Sequence, residues 1–257
     1  MDEHDPSQRP SAPKRAGGIG AILATLAVIA AKLKFLLVGL KLFASSWTFL
    51  LSLGLYAAVF GWQLGVVIIL VLAAHELGHY FAYRGYGLPA RLPVFIPFLG
   101  AFTAGAIAPD LEQDAYIALA GPVVGLGLAA VCYAIGIAAH DRFWLACADL
   151  SAFLNLFNMI PILPFDGGRV IGAVWPPLWI AGVVLFAAAA YWFGVPLILV
   201  ALIALLGMPA MYSALRGNPD PRAAAMTNTA RARVGAWYVA CALGLAYIVG
   251  RAHTGYQ

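Results

Sequence analysis

The sequence predicts an all-α polytopic membrane protein of about six to seven transmembrane helices, with a re-entrant hairpin over about 88–109 and a helix broken at Asp166. Composition is the first observation behind this. Hydrophobic residues make up 63% of the chain and charged residues only 10%, against about 25% charged in an ordinary soluble domain; the mean hydropathy is +0.88. The second is that apolar runs near the roughly 20 residues needed to cross a bilayer recur along the chain. The third is charge asymmetry. With the amino terminus inside, only Arg142 and Arg251 of the 15 Lys and Arg residues fall outside, a strong positive-inside bias. The net charge of +4 therefore reports topology and anionic headgroups. It gives no sign of a nucleic-acid surface.

Residues 1–18 are polar, proline-rich and basic. They read as a disordered cytosolic tail with no apolar run to serve as a secretory signal peptide. The apolar stretch at 19–31 is too short to span and is followed by Lys32, Lys34 and Lys41, so 19–42 reads as an interfacial, amphipathic segment. Spans are expected at about 43–60, 63–83, 115–139, 143–160, 170–193, 195–214 and 234–250. The intramembrane domain is thus 43–214, with its core at 43–170, and 215–257 supplies a cytosolic linker and a C-terminal transmembrane helix. The polar stretch at 215–233 is far below the roughly 50 residues a domain needs.

Phe60 to Ala74 carries no charge, and then His75, Glu76 and His79 arrive within two helical turns as His-Glu-Leu-Gly-His. Ionisable groups at bilayer depth are costly and mark function. Residues four apart on a helix share a face, so both imidazoles can meet one cation, with Glu76 beside the water bound to it. Zinc suits neutral imidazole and keeps an open position for water, whose ionisation it brings near pH ~7. Glu76 is then placed to act as general base, and the pattern points to metal-assisted hydrolysis.

A third protein ligand is required, and the acids after Glu76 are few. Asp110, Glu112 and Asp114 cluster in a polar loop entering a span and read as helix-start charges. Asp141 and Asp220 lie in loops, and Asp149 lies inside a span with polar partners expected. Asp166 closes the run from Asn158 to Arg169, in which Pro161, Pro164, Gly167 and Gly168 break a helix. Broken backbone at membrane depth survives only when buried or lining a polar cavity, and the glycines permit a turn that aims a carboxylate inward. Asp166 reads either as a ligand or as the N-cap of a helix beginning near Arg169.

Four prolines between Gly85 and Pro109 forbid a continuous helix there, while Val94, Phe95, Ile96, Phe98 and Phe102 are apolar. A hairpin turning near Leu99-Gly100 satisfies both facts, either as an edge on which an unwound substrate segment adds as a strand or as a seal over the site. Gly121, Pro122, Gly125 and Gly127 suit close helix approach. Cys132, Cys147 and Cys241 read as small packing residues without disulfide or metal spacing. His4, His140 and His253 fall away from the site.

The sequence resembles the site-2 protease family of intramembrane zinc metalloproteases. The likeness rests on HELGH at 75–79, LAGP at 119–122 and NMIPILPFDGG at 158–168, and covers roughly 45–170. Phe165 stands where the family usually has Leu. The resemblance implies one zinc ion held by His75, His79 and Asp166, Glu76 as catalytic base, and Asn158 helping to orient substrate or the oxyanion. It also implies a membrane-dipping hairpin, transmembrane protein substrates and a multi-pass place in the cell membrane, with the active site toward the cytoplasmic side. Neither the PDZ nor the cystathionine-synthase-type domain of many relatives fits, so the compact form is expected. Two other classes compete. A metal-ion transporter would need polar groups across the whole membrane, which the outer halves of the spans lack. A prenyl-protein endopeptidase would need a downstream Glu-x-x-x-Asp, yet Glu112 is the one later glutamate and position 116 is Tyr.

Overall fold

A computed structural model describes residues 28–29, 32, 47–98, 100–192, 194, 197–217 and 220–256. The chain divides into two units, Met1–Trp47 and Thr48–Gln257. In the first, residues 28, 29 and 32 are helical and exposed. The expected tail at 1–18 and the rest of the interfacial segment at 19–42 lie outside the described residues.

Eight α-helices and one β-hairpin follow among the described residues: α1 (Trp47–Phe60), α2 (Trp62–Gly85), β1 (Val94–Ile96), β2 (Gly100–Phe102), α3 (Leu111–Ala139), α4 (Arg142–Asn158), α5 (Asp166–Val174), α6 (Leu178–Trp192), α7 (Leu197–Leu215) and α8 (Asn228–Tyr256). By length and composition α2, α3 and α8 can each cross a membrane. Helices α1 and α6 are apolar but have only 14 and 15 residues.

On α2 the polarity is inverted relative to a soluble helix. Leu70 is 57% and Phe81 64% exposed, while His75, Glu76 and His79 are each 5% exposed. Apolar side chains face out and ionisable ones face in, the arrangement that surrounding lipid favours.

The centre of the unit is α3, which packs against α2, α4, α5 and α8. Many of the residues in its core are small: Ala115, Ala118 and Ala129 share a buried cluster with Ala148 and Ala152 of α4, Ala173 of α5 and Val234 and Cys241 of α8, beside the larger Leu111 and Leu119. Small residues let helix backbones come close enough for dispersion contacts to hold them without a hydrophobic drive from water. Cys132, Cys147 and Cys241 are free thiols in this packing. Gly78, within the His-Glu-Leu-Gly-His run, shows how tight it is: a Cβ there would lie 2.5 Å from the Ala120 carbonyl oxygen of α3. Gly78→Ala is therefore expected to destabilise the fold by roughly 1–3 kcal/mol through overpacking, read as a lower thermal midpoint in detergent. An unchanged midpoint would show that α2 and α3 can separate freely.

Two sequence expectations are corrected. A single span over 170–193 is not formed, because α5 ends at Val174 and α6 begins at Leu178. Pro176 and Pro177 lack the N–H groups a helix interior requires, and Trp175 before them is extended at φ −159° and ψ 93°. Gly127 does not mark close helix approach, since a Cβ there would meet nothing within 4 Å.

The hairpin pairs Val94 with Phe102, Phe95 with Ala101 and Ile96 with Gly100 in antiparallel register. Phe95 is buried while Val94 and Ile96 are exposed, as alternation requires. Its base continues through hydrogen bonds from Arg91 N–H to the Ala104 carbonyl (2.8 Å) and from Ala106 N–H to the Pro89 carbonyl (3.0 Å). Phe98 at φ 62° and Gly100 at φ 101° make the tight return. The hairpin is tied to the helices by the Phe98 N–H donating to Tyr56 Oη at 3.2 Å and by Thr103 Oγ1–H donating to the Glu76 carbonyl at 3.0 Å.

Candidate metal centre

His75 and His79 stand one turn apart on the inward face of α2, and Asp166 is the first residue of α5, which starts after the α4 helix has ended at Asn158. The segment between them cannot continue either helix, because Pro161 and Pro164 remove backbone donors. Asp166 thus sits in the first turn of a helix, with Phe165 as the N-cap. Its carboxylate turns to α2. The Oδ2 atom lies 3.1 Å from His75 Nε2 and 3.1 Å from His79 Nε2, and the two Nε2 atoms are 3.1 Å apart. These three residues are buried and offer ligand atoms all within 4.8 Å of one another, a group able to hold a metal ion.

Gly167 and Gly168 have ordinary helical backbone, so the expectation that they allow a turn is corrected: their lack of side chains serves close approach. A Cβ on Gly167 would run into the Met159 carbonyl, and one on Gly168 into the Ile162 carbonyl. Without that space α5 could not lie against the 159–162 segment and carry Asp166 to the histidines. The Trp179 indole N–H donates to the Gly168 carbonyl at 2.8 Å and fastens α6 to the same turn. Gly121 of α3 has a related role, since a Cβ on it would strike the His79 ring and lie 2.9 Å from His75 Cε1.

Each imidazole is held through its other nitrogen. His79 Nδ1 lies 2.7 Å from the Ile117 carbonyl of α3, and His75 Nδ1 lies 2.7 Å from Asn155 Oδ1 of α4. Glu76 is next to His75 on the chain, and its Oε2 is buried with no hydrogen-bond partner among the described residues. Asn158 is at the end of α4, where its Nδ2 donates to the Leu154 carbonyl at 3.2 Å. Asn155 was not singled out from the sequence. Its signal there was a lone amide between Leu154 and Leu156 in a predicted span. The Ile117 carbonyl, a backbone group, has no such signal.

Arg169, one turn after Asp166, pairs with Asp114 of α3 at 2.8 Å and lies 3.9 Å from Asp166 Oδ1. The other acids have structural partners. Asp110 caps α3 by accepting from the Gln113 N–H, Asp141 caps α4, and Asp149 lies 3.0 Å from His253. At the surface, Arg222 donates to Asp220 and holds that carboxyl below the usual carboxylate range. Arg222 also donates to the Ala108 carbonyl (2.8 Å), and Arg231 donates to the Ala173 carbonyl at the end of α5 (2.6 Å).

Residues 63–141 match the model of peptidase family M50. The chain is 33% identical over 136 residues to "Putative zinc metalloprotease Rip3" of Mycobacterium tuberculosis, covering 48% of this chain and 34% of that protein. It is 28% identical over 123 residues to "Zinc metalloprotease MJ0392" of Methanocaldococcus jannaschii, covering 46% and 35% respectively. The matched stretch thus spans about a third of the length of each relative. The family match and the three long apolar helices point to a membrane protein. Over residues 63–141, the stretch that holds His75, Glu76 and His79, the chain is thus similar to peptidase family M50 and to proteins named as zinc metalloproteases.

Proposed function

We propose that the chain is an intramembrane zinc metalloprotease that hydrolyses peptide bonds within or beside the transmembrane segments of other membrane proteins. The observation that carries this is the convergence of two imidazole nitrogens and one carboxylate oxygen, 3.1 Å apart, beside a buried glutamate with an unpartnered oxygen. Three ligands at zinc bond lengths around a tetrahedral ion stand about 3.3 Å from one another, so the residues present fit one zinc ion. His75, His79 and Asp166 would hold it. When bound, zinc polarises a peptide carbonyl and makes water acidic near neutral pH.

The remaining steps belong to the protein. Glu76 Oε2 takes the proton from the attacking water and returns it to the leaving amine nitrogen. Burial at 5% exposure keeps bulk water from competing for that carboxylate. Asn158 keeps one amide N–H on the Leu154 carbonyl and offers the other toward a substrate carbonyl. A substrate helix must unwind before its peptide bonds can be reached. The hairpin, joined to the Glu76 backbone through Thr103, offers an edge for the unwound strand. The Lys and Arg distribution supports an amino terminus and a site on the cytoplasmic side.

Purified chain in proteoliposomes is expected to cleave a single-span membrane protein, to lose that activity on dialysis against a zinc chelator and to regain it when zinc is returned. Cleavage that continues at full rate after zinc is stripped would overturn the reading. So would zinc flux across the vesicles with no cleavage of any of a panel of single-span proteins.

A further inference from the structure

We propose that Asn155 is the positioning residue for His75, holding the imidazole in the tautomer that presents a bare Nε2 to the metal. The inference rests on the zinc reading above. Its basis is a chain of hydrogen bonds with one possible direction. The Ser151 carbonyl can only accept, so the Asn155 group 2.8 Å from it is the amide nitrogen. That leaves Oδ1, which carries no hydrogen, facing His75 Nδ1 at 2.7 Å. The proton of a neutral imidazole must then be on Nδ1, and Nε2, the atom 3.1 Å from Asp166, is left as a lone-pair donor.

The amide is held rigidly. Asn155 is 1% and Ser151 0% exposed, and Ser151 Oγ–H donates to the Gly125 carbonyl at 3.2 Å. Gly125 supplies the space, because a Cβ on it would occupy the position of the Asn155 amide group. The run Gly125, Ser151, Asn155, His75 therefore ties α3 and α4 to one metal ligand on α2. The two ligands on α2 differ in this respect. His79 is oriented by a main-chain carbonyl that no side-chain substitution removes, whereas the support of His75 is a side chain. The support is also neutral. A carboxylate there would be a third negative charge beside Asp166 and Glu76 in a buried, lipid-surrounded site, and charges in such surroundings are expensive. An amide fixes the tautomer without adding one.

The test uses the full chain in lipid nanodiscs, labelled with 15N-histidine and titrated with zinc in chelator competition. Wild type is expected to show His75 metallated through Nε2, with an Nδ1 proton protected from exchange. Asn155→Leu is expected to weaken zinc binding roughly 10–100-fold, the usual loss on removing an outer partner of a metal-bound histidine, and to expose the Nδ1 proton. Gly125→Ala should produce the same pair of changes with Asn155 still present. Zinc affinity within twofold of wild type in a folded Asn155→Leu protein would overturn the inference and leave the zinc reading intact, whereas a wild type that binds no zinc overturns both. If either variant fails to fold, the wild-type spectrum decides: metallation of His75 through Nδ1 is incompatible with the proposed role.

Discussion

Glu76→Gln is expected to abolish cleavage while leaving zinc binding untouched. Glutamine has the volume of glutamate and keeps a polar tip in place, but it cannot take a proton from water at neutral pH. The groups that hold the ligands are elsewhere: His75 on Asn155, His79 on the Ile117 carbonyl, and Asp166 at the start of α5. The substitution therefore removes one function and leaves the geometry that surrounds it. A positioned general base contributes about 10²–10⁴ in rate, which sets the expected fall in cleavage. Zinc content, measured on the same purified sample, should match wild type. Because the substitution keeps the side-chain volume, the Gln variant should melt close to wild type. Undiminished cleavage by the variant would remove Glu76 from the mechanism, and loss of zinc would recast it as a ligand.

How much of this site could be read from the sequence depended on how local each contact is. His75, Glu76 and His79 needed only helical periodicity, which puts residues four apart on one face. Asp166 is 87 residues beyond His79. Nothing in periodicity links them; the prolines and glycines before Arg169 marked a buried break, and family resemblance tied that break to the histidines. The same Pro/Gly signal was present at Pro176-Pro177, where a long apolar run outweighed it and joined two helices into one expected span. For Gly167 and Gly168 the sequence could show that no side chain is wanted, but not whether a turn or a neighbouring backbone forbids one. The answer is the neighbouring backbone. Asn155 and Asn158 are three residues apart on one helix, and the rotation that brings Asn155 to His75 is set by Ser151 and Gly125, a tertiary fact. The family pattern draws the eye to Asn158, and physical contact with the candidate ligands belongs to Asn155.

Asp166→Ala should release the metal. Two imidazole nitrogens and one carboxylate oxygen stand 3.1 Å apart, and removal of the oxygen leaves two neutral donors and no anionic ligand to balance a divalent ion. The loss should exceed the roughly 10–100-fold caused by deleting an outer hydrogen-bond partner. Linkage gives a second readout. A ligand that binds only the folded state stabilises it by about 2.7 kcal/mol at a hundredfold excess over its dissociation constant, so zinc should raise the thermal midpoint of wild type and leave that of the variant unmoved. Asp166 has another role to separate from ligation. It is the acid in the first turn of α5, with Arg169 3.9 Å away, a position worth about 0.3–1 kcal/mol to the helix. Asp166→Asn keeps the side-chain volume but, like Ala, loses the ligating carboxylate and the negative charge at the helix start. Both variants are expected to lose zinc and to melt slightly lower than wild type in the absence of metal. Unchanged zinc stoichiometry in either variant would mean that the third ligand lies elsewhere, and α5 would then have to be assigned a purely structural reason for closing on α2.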